Sequence, residues 1–247
     1  MSRSHLSYLS KWADVQLNKL AIMYILIFTT DYEDLCRSFQ QHSPLQLGYY
    51  TFIADAVTMY VNIDQDHAAK TLLQWLINIE YNDLPPELLV EAIKIIMSNN
   101  YFQFGDTYWK QISGVAMGTP TACMLATVYY GIYENTVLIP KYKANIQNLK
   151  QFIDDMLAIF IIKTAENIER WEEFKKDLPY GKLTWTVDPP SKVVNFLDLT
   201  IQVYHTGLIT TKTFQKKMNL YLYIPPYSAH PSGLFKSIIY STIRRYW

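Results

Sequence analysis

Two adjacent acids interrupt a strongly apolar run of this chain. In "FIDDMLAIFII", from Phe152 to Ile162, Asp154 and Asp155 have hydrophobic residues on both sides. Flanks of this kind belong in a protein core, and a buried carboxylate is costly unless a cation or a donor compensates it. The stretch favours two short strands that meet at a turn carrying the acids. A solvated turn is the simpler explanation for the two aspartates alone, because Asp is a good turn former.

The segments around these acids predict an order of elements. A strand over residues 49–61 is followed by two helices, a hairpin turning at Gly105-Asp106, the loop "GVAMGTP" and a buried helix over 121–138. After the acid turn come an amphipathic helix and the alternating strand "KLTWTVD". This is the order of a split βαβ, ferredoxin-like arrangement.

That arrangement has a consequence for a third acid, Asp55, which lies inside the first strand although Asp is depleted in strands. The first strand lies beside the central hairpin, so we expect Asp55 near Asp154 and Asp155 despite the 99 positions that separate Asp55 from Asp154. Three carboxylates brought together would raise one another's pKa. A pair of Mg²⁺ ions would remove that repulsion and is typical of phosphoryl transfer, so the acids suggest nucleotidyl transfer.

The ends of the chain also have clear patterns. Residues 5–41 have apolar residues at three- and four-residue spacing, which predicts a helix. Residues 193–214, "VVNFLDLTIQVYHTGLITTKTF", predict a hairpin turning near Thr206-Gly207. We therefore expect an α+β fold in which an antiparallel sheet packs on helices.

The helix over residues 164–178 is the clearest amphipathic segment. Thr164 is a suitable cap for its first turn. Ile168, Trp171 and Phe174 share one face, which should pack on the sheet.

The charge balance argues against a strongly polyanion-binding chain, with 22 Lys and Arg against 22 Asp and Glu. The last acid is Asp198, and the 49 residues after it are basic and rich in aromatics. This tail is either a solvated face or a surface that follows nucleic-acid phosphates. Its basic residues are Lys212, Lys216, Lys217, Lys236, Arg244 and Arg245.

The cysteines and the N-terminal residues bear on the cellular location of the protein. The two cysteines do not suggest a disulfide framework or a zinc site. The longest apolar run near the N-terminus, residues 20–28, is too short to cross a bilayer, and the start lacks the apolar core of a signal peptide. We expect a soluble intracellular protein with no membrane partner.

Four further segments stand in a characteristic order along the chain. They are "ADAVTMYVNID", "GVAMGTPTACMLATVYYGIYE", "FIDDMLAIF" and "VVNFLDLTIQVY". In sequence and order they resemble the palm motifs of reverse transcriptases. The last of them, with "YIPPYSAHPSGLFKSIIYSTIRRYW", resembles the Penelope-like retroelement branch. The resemblance covers residues 45–247 and implies an RNA-directed DNA polymerase that joins a nucleotide to a primer 3′-hydroxyl.

The resemblance implies catalytic roles residue by residue. Asp55 and Asp154 would ligate two Mg²⁺ ions, and Asp155 would support them from the turn. Lys192 falls near the position where the family keeps a lysine that protonates the leaving pyrophosphate. An exposed turn lysine is the alternative for Lys192.

Binding roles follow in the same way. Tyr60, five residues after Asp55, falls at the position that stacks under the incoming sugar and excludes a 2′-hydroxyl, and a core aromatic is the alternative. The other nucleotide-binding positions are Ala56, Met117, Gly118 and Pro120. The implied primer-binding positions are Phe152, Asn195, Phe196 and Leu197.

The implied partners are an RNA template, a DNA primer and deoxynucleoside triphosphates, and the implied location is the nucleus. The implied organisation is a helical N-terminal segment over 1–44, a palm over 45–204, and the end of the primer-grip hairpin with the start of a thumb over 205–247. We find no basic fingers segment before the palm and expect fingers and thumb to be truncated. The sequence departs mildly from the family at Phe152, where many relatives have Tyr, and at Thr119, where Ser is usual.

Two other functions remain open. A catalytically inactive remnant that binds nucleic acid or protein would fit the truncated fingers. A two-metal nuclease would use the same acids, but it would not explain Tyr60 or the hairpin that resembles a primer grip.

Overall fold

The computed structural model describes residues 5–27, 29, 32–45, 48–214, 229–231 and 233–246. Its helices and antiparallel strands form an α+β fold, as the sequence predicts. The α-helices are α1 (His5–Tyr24), α2 (Tyr32–His42), α3 (Met59–Asn62), α4 (Gln65–Asn78), α5 (Pro86–Ser98), α6 (Thr121–Tyr133), α7 (Ile139–Tyr142), α8 (Ala165–Asp177) and α9 (Leu234–Tyr246). The strands are β1 (Tyr49–Ala56), β2 (Tyr101–Phe104), β3 (Thr107–Lys110), β4 (Ile146–Phe152), β5 (Asp155–Ile161), β6 (Trp185–Val187), β7 (Val193–Phe196), β8 (Leu199–Val203) and β9 (Ile209–Thr213).

The central sheet has the strand order β4-β5-β1-β6, and its paired strands are antiparallel. The helical segments between β1 and β4, and α8 between β5 and β6, complete the split βαβ arrangement. The ferredoxin-like prediction is therefore confirmed. It follows that β1 lies directly beside the hairpin of β4 and β5, as the placement of the acids requires.

Alternation along β5 separates two cores, because successive side chains of a strand point to opposite faces. Met156, Ala158 and Phe160 belong to the larger core, on the face that α8 covers. Leu157 and Ile159 belong to a second core, which includes residues of α2 and of the β7-β8-β9 sheet. The acid-bearing strand is thus held from both faces.

Helix α8 packs on the sheet through aromatic rings. Thr164 caps the helix with a capping box, as the sequence predicts. Trp171 lies 4.5 Å from Phe52, centroid to centroid, and Phe174 is fully buried. The prediction is wrong for Ile168, whose side chain is 52% exposed because it lies at the edge of the packed stripe.

The sheet of β7, β8 and β9 is a meander. The predicted turn near Thr206-Gly207 joins β8 to β9. A second, tighter turn at Leu197-Asp198 joins β7 to β8, and the sequence analysis did not separate these two strands. Leu197 adopts a left-handed conformation there, with a φ of 52°.

The continuous helix expected over residues 5–41 is wrong. Helix α1 ends at Tyr24, and the connection to α2 runs beside the edge strand β4. The Gln151 N–H donates to the carbonyl of Ile27 at 3.0 Å, and the Thr29 N–H donates to the carbonyl of Gln151 at 3.2 Å. This backbone pairing with a distant strand cannot be read from local periodicity.

Helix α6 passes through the larger core and continues as a π-helical turn, Glu134–Leu138. The Glu134 side chain is fully buried, and neither of its oxygens has a hydrogen-bond partner among the described residues. Burial raises the pKa of this carboxyl well above its ordinary value.

Candidate active site

The three acids meet at one end of the central sheet. Asp55 is the second-last residue of β1 and lies directly opposite Asp155, the first residue of β5. The Ala56 N–H donates to the carbonyl of Asp154 at 2.9 Å, so the acid turn is bonded to the end of β1. The expected approach of Asp55 to the acid turn is confirmed.

The acid end of the sheet, as far as the structure describes it, does not form a complete set of metal ligands. Burial, and then the negative charge of Asp154, raise the pKa of Asp55 above its ordinary value. Among the residues that the structure describes, no group of three or more His, Cys, Asp or Glu side chains is placed so that it could hold a metal ion. The carboxylates therefore lie near one another, but the described residues do not form a three-ligand metal site there.

The turn itself is strained. Ile153, between β4 and the acids, has a φ of 55°, in the left-handed region that a β-branched residue rarely occupies. Such conformations persist only where the surrounding structure imposes them, and they cluster at functional sites. Here the strained residue directly precedes Asp154.

Tyr60 lies between the acid turn and the loop before α6. The strand predicted to contain it ends earlier, at Ala56, and Tyr60 lies on the short helix α3 after a left-handed Thr58. Its hydroxyl donates to the Cys123 sulfur at 3.2 Å, and its carbonyl accepts from the Val115 N–H at 2.7 Å.

The pKa of the Tyr60 phenol is also affected by the acid turn. Burial, the hydrogen bond with Cys123 and the charge of Asp154 all raise its pKa above the ordinary value. The ring is thus partly buried against the larger core, and the charge of Asp154 is the smallest of the three causes.

Met117, Gly118 and Pro120 line a cavity of about 590 Å³. Gly118 has a φ of +89° with open space where a side chain would lie, so the backbone is accessible to a ligand there. The cavity also reaches the start of α1 and the β2–β3 hairpin, and its wall includes Val61 but none of the three acids. These loop residues therefore line a cavity whose wall does not include the acids.

The four primer-binding candidates lie around the second core. Phe152, the last residue of β4, is paired with Asp155, and it packs on the same core as Leu197. Phe196 is buried in that core, while Asn195 is exposed and accepts a hydrogen bond from the Thr200 hydroxyl at 2.7 Å. By strand alternation, Asp55 and Asp155 share the face of the sheet on which this core packs.

The structure does not bring Lys192 to the acids. Its ammonium donates to the Tyr49 carbonyl and lies 4.0 Å from the centroid of the Tyr50 ring. Tyr49 is six residues before Asp55 along β1, or about 20 Å at the rise of a strand. The lysine is at the opposite end of the sheet from the acids, because the bridge of Thr51 with Ser191 sets the register there.

Lys182 precedes β6, at the end of the sheet where Asp55 lies. Trp185 pairs with Ala56, and the Val57 N–H donates to the Thr184 carbonyl at 2.9 Å, so the residues before β6 continue past the acid end. The Lys182 ammonium forms an ion pair with Asp64 at 2.9 Å. The sequence could have indicated the position of Lys182, since an antiparallel "KLTWTVD" strand places its leading lysine at the end of the sheet where Asp55 lies.

The basic tail is described only in part. Lys212 lies on β9 and Lys236 on α9. Lys216 and Lys217 lie outside the described residues, as do the side chains of Arg244 and Arg245. The expected phosphate-following surface therefore stays a prediction. Within the described part of the chain, no helix combines the length and the apolar character needed to cross a bilayer.

Comparison with known proteins gives matches to solved structures only. No family model and no curated protein matches the chain. A telomerase from Candida albicans, in complex with a TWJ fragment of telomeric RNA, is similar with a TM-score of 0.62 at 13% identity, over 84% of this chain and 39% of that chain. An apo telomerase from Candida Tropicalis, truncated from its C-terminal domain, has a TM-score of 0.58 at 11% identity, over 86% and 46%.

A viral polymerase shares the same likeness. The BmCPV RNA-dependent RNA polymerase at its elongation state has a TM-score of 0.59 at 11% identity, over 83% of this chain and 20% of that chain. The chain spans less than half the length of each of these three polymerases. The similarity establishes that this chain has a polymerase palm-like fold.

Proposed function

We propose that this chain is a reverse-transcriptase palm that transfers a nucleotide to a primer 3′-hydroxyl on an RNA template. The observation that carries the proposal is the pairing of Asp55 with Asp155, with the Asp154 carbonyl bonded to Ala56, at one end of a palm-like sheet. From the order of its motifs we assign it to the Penelope-like branch of retroelements, acting in the nucleus.

The carboxylate chemistry of the acids suits a hard divalent cation, although the described residues do not assemble a group of three ligands. Carboxylate oxygens are the ligands that Mg²⁺ prefers, and the charge of Asp154 already raises the pKa of Asp55, a repulsion that a cation would relieve. We propose that Asp55 and Asp154 hold two Mg²⁺ ions, with Asp155 behind them. Such ions, when bound, stabilise the attacking and leaving oxygens of a phosphoryl transfer.

The other residues would bind and orient the substrates. Tyr60, within the field of Asp154, would lie under the sugar of the deoxynucleoside triphosphate and exclude a 2′-hydroxyl. The turn at Leu197 and Phe196, which pack on the core at the face shared with Asp55, would hold the primer end together with the exposed Asn195. Lys182 replaces Lys192 as the candidate cation for the departing pyrophosphate, because it continues past the acid end.

The test uses Asp154→Asn, with Asp106→Asn at the tip of the exposed β2–β3 hairpin as the matched control. Mg²⁺ should raise the melting temperature of the native chain and of the control, and should leave that of Asp154→Asn unchanged. Mg²⁺-dependent extension of a labelled DNA primer on an RNA template should be lost in the same variant. A Mg²⁺ response that survives Asp154→Asn would contradict the proposal.

A second function, a catalytically inactive palm that binds nucleic acid or protein, is favoured by one observation. No ligand group of three His, Cys, Asp or Glu side chains is assembled in the described part of the chain. Binding of a primer–template duplex with neither a Mg²⁺ response nor extension would favour this second function.

A further inference from the structure

Gln151 is a buried amide beside the acid turn. Its side chain is fully buried near the end of β4, two residues before Ile153. The amide Nε2 donates to the Ile153 carbonyl at 2.8 Å. Gln151 therefore bonds to the residue whose backbone is strained.

The backbone of Gln151 is fixed as well. Its N–H donates to Ile27 and its carbonyl accepts from Thr29, both in the connection between α1 and α2. The main chain of Gln151 is thus bonded to the α1–α2 connection, and its side chain is bonded to the acid turn. A rigid support of this kind can impose a conformation that Ile153 would not adopt by itself.

The other half of the amide shows that the bond comes at a cost. The Gln151 Oε1 is buried and has no hydrogen-bond partner among the described residues. A buried polar atom without a partner destabilises the fold, and an apolar side chain of similar size would avoid that cost. What glutamine adds at this position is the bond to Ile153.

The direction of Asp154 depends on this turn. Asp154 follows Ile153 directly, and its carbonyl is bonded to the Ala56 N–H, next to Asp55. A change of backbone conformation at Ile153 would move the Asp154 carboxylate relative to Asp55. It would also release the amide proton of Ala56.

We propose that Gln151 is a positioning residue: its amide holds Ile153 in the left-handed conformation and thereby fixes Asp154 relative to Asp55. The catalytic part of this inference rests on the proposed function. The structural part does not, because it concerns the order of the turn alone. Hydrogen exchange measures the structural part and primer extension measures the catalytic part.

The variant is Gln151→Met, which keeps the length of the side chain and removes the donor. The matched control is Asn148→Leu, a buried amide on the same strand whose Nδ2 donates to the Ser38 hydroxyl at 2.7 Å, away from the turn. The structural readout is hydrogen exchange of the Ala56 amide. We expect at least a tenfold faster exchange in Gln151→Met than in Asn148→Leu, after correction for any difference in melting temperature.

The catalytic readout is primer extension. In Gln151→Met, kcat should fall at least tenfold and the Mg²⁺ concentration for half activity should rise, while the KM for primer–template stays unchanged. Asn148→Leu should keep the native kinetics. Absence of extension by the native chain would count against the proposed function, and the exchange data would still decide the role of Gln151.

A second variant guards against misfolding. Gln151→Glu has a carboxyl that donates to Ile153 only when it is protonated, so protection of the Ala56 amide should fall as pH rises, after correction for intrinsic exchange. Native protection of Ala56 in Gln151→Met, or in Gln151→Glu at every pH, would overturn the proposal. Equal loss of activity in Asn148→Leu would overturn it too.

Discussion

At the scale of single residues, Glu134 is the group whose surroundings suit its charge least. It is fully buried, it lies in a π-helical turn, and the described residues offer its oxygens no partner. Glu134 affects Tyr130, one turn earlier on α6, whose pKa is raised by burial and then by the charge of Glu134. Burial therefore favours the protonated form of this carboxyl in the folded chain.

The raised pKa of Glu134 predicts the direction in which stability changes with pH. Because the pKa of Glu134 is raised in the folded state, unfolding releases its proton at any pH between the ordinary value, about 4.3, and the folded value. Stability should fall by up to about 1.4 kcal/mol per pH unit across that window. Glu134→Gln should remove this slope, as measured by urea titrations from pH 4 to pH 8. Parallel stability profiles of the two proteins would contradict the prediction.

Tyr60 carries the second prediction at this scale. If its ring lies under the sugar, Tyr60→Ala should reduce discrimination against ribonucleotides by roughly tenfold or more, equivalent to about 1.4 kcal/mol. Tyr60→Phe keeps the ring and loses only the hydrogen bond to Cys123, so it should retain the discrimination. Single-nucleotide incorporation with ribo- and deoxynucleotides measures both. Unchanged discrimination in Tyr60→Ala would return the ring to a purely structural role.

At the scale of elements, the sheet and the helix that covers it depend on a few large side chains. Trp171 is 4% exposed and contacts Phe52 and Phe160, which lie on two different strands. Ile168, one turn earlier on the same helix, is half exposed. Alanine substitutions at these two positions of one helix therefore distinguish the effect of burial from the effect of helix propensity.

Trp171→Ala should destabilise the fold by about 3–5 kcal/mol, the range for truncating a buried aromatic. Ile168→Ala, on the same helix, should change stability by only about 0.5 kcal/mol, as is usual for exposed positions. Denaturant titration of the two variants measures the difference. Equal effects would show that α8 does not pack as described.

Local pattern was sufficient for most elements and for the acids. β-Branched and aromatic residues predicted the strand that carries Asp55, an apolar run predicted the strand that carries Asp155, and the order of elements predicted that they would meet. Pattern failed where a distant partner decides the outcome. Lys192 was assigned from the family resemblance, but the register of Ser191 with Thr51 places it at the far end of the sheet. Gln151 gave no signal at all, because its role depends on the strained backbone of Ile153.

At the scale of the whole molecule, the connection between α1 and α2 ties the N-terminal helices to the sheet. Thr29→Pro removes the N–H that donates to Gln151 and should cost about 1 kcal/mol, the usual net value of one such bond. Thr29→Ala keeps the N–H and is the control. Urea titration of both variants tests whether the connection contributes to stability, and equal values would show that it does not.

The same connection has a meaning for solubility. The outer edge of a sheet presents unpaired N–H and C=O groups on which another chain can form a strand. Here β4 is one edge, and its last residues are paired with the chain's own Ile27 and Thr29; the opposite edge, β6, is only three residues long. The palm-like fold thus covers or shortens the edges on which a second copy could start to aggregate.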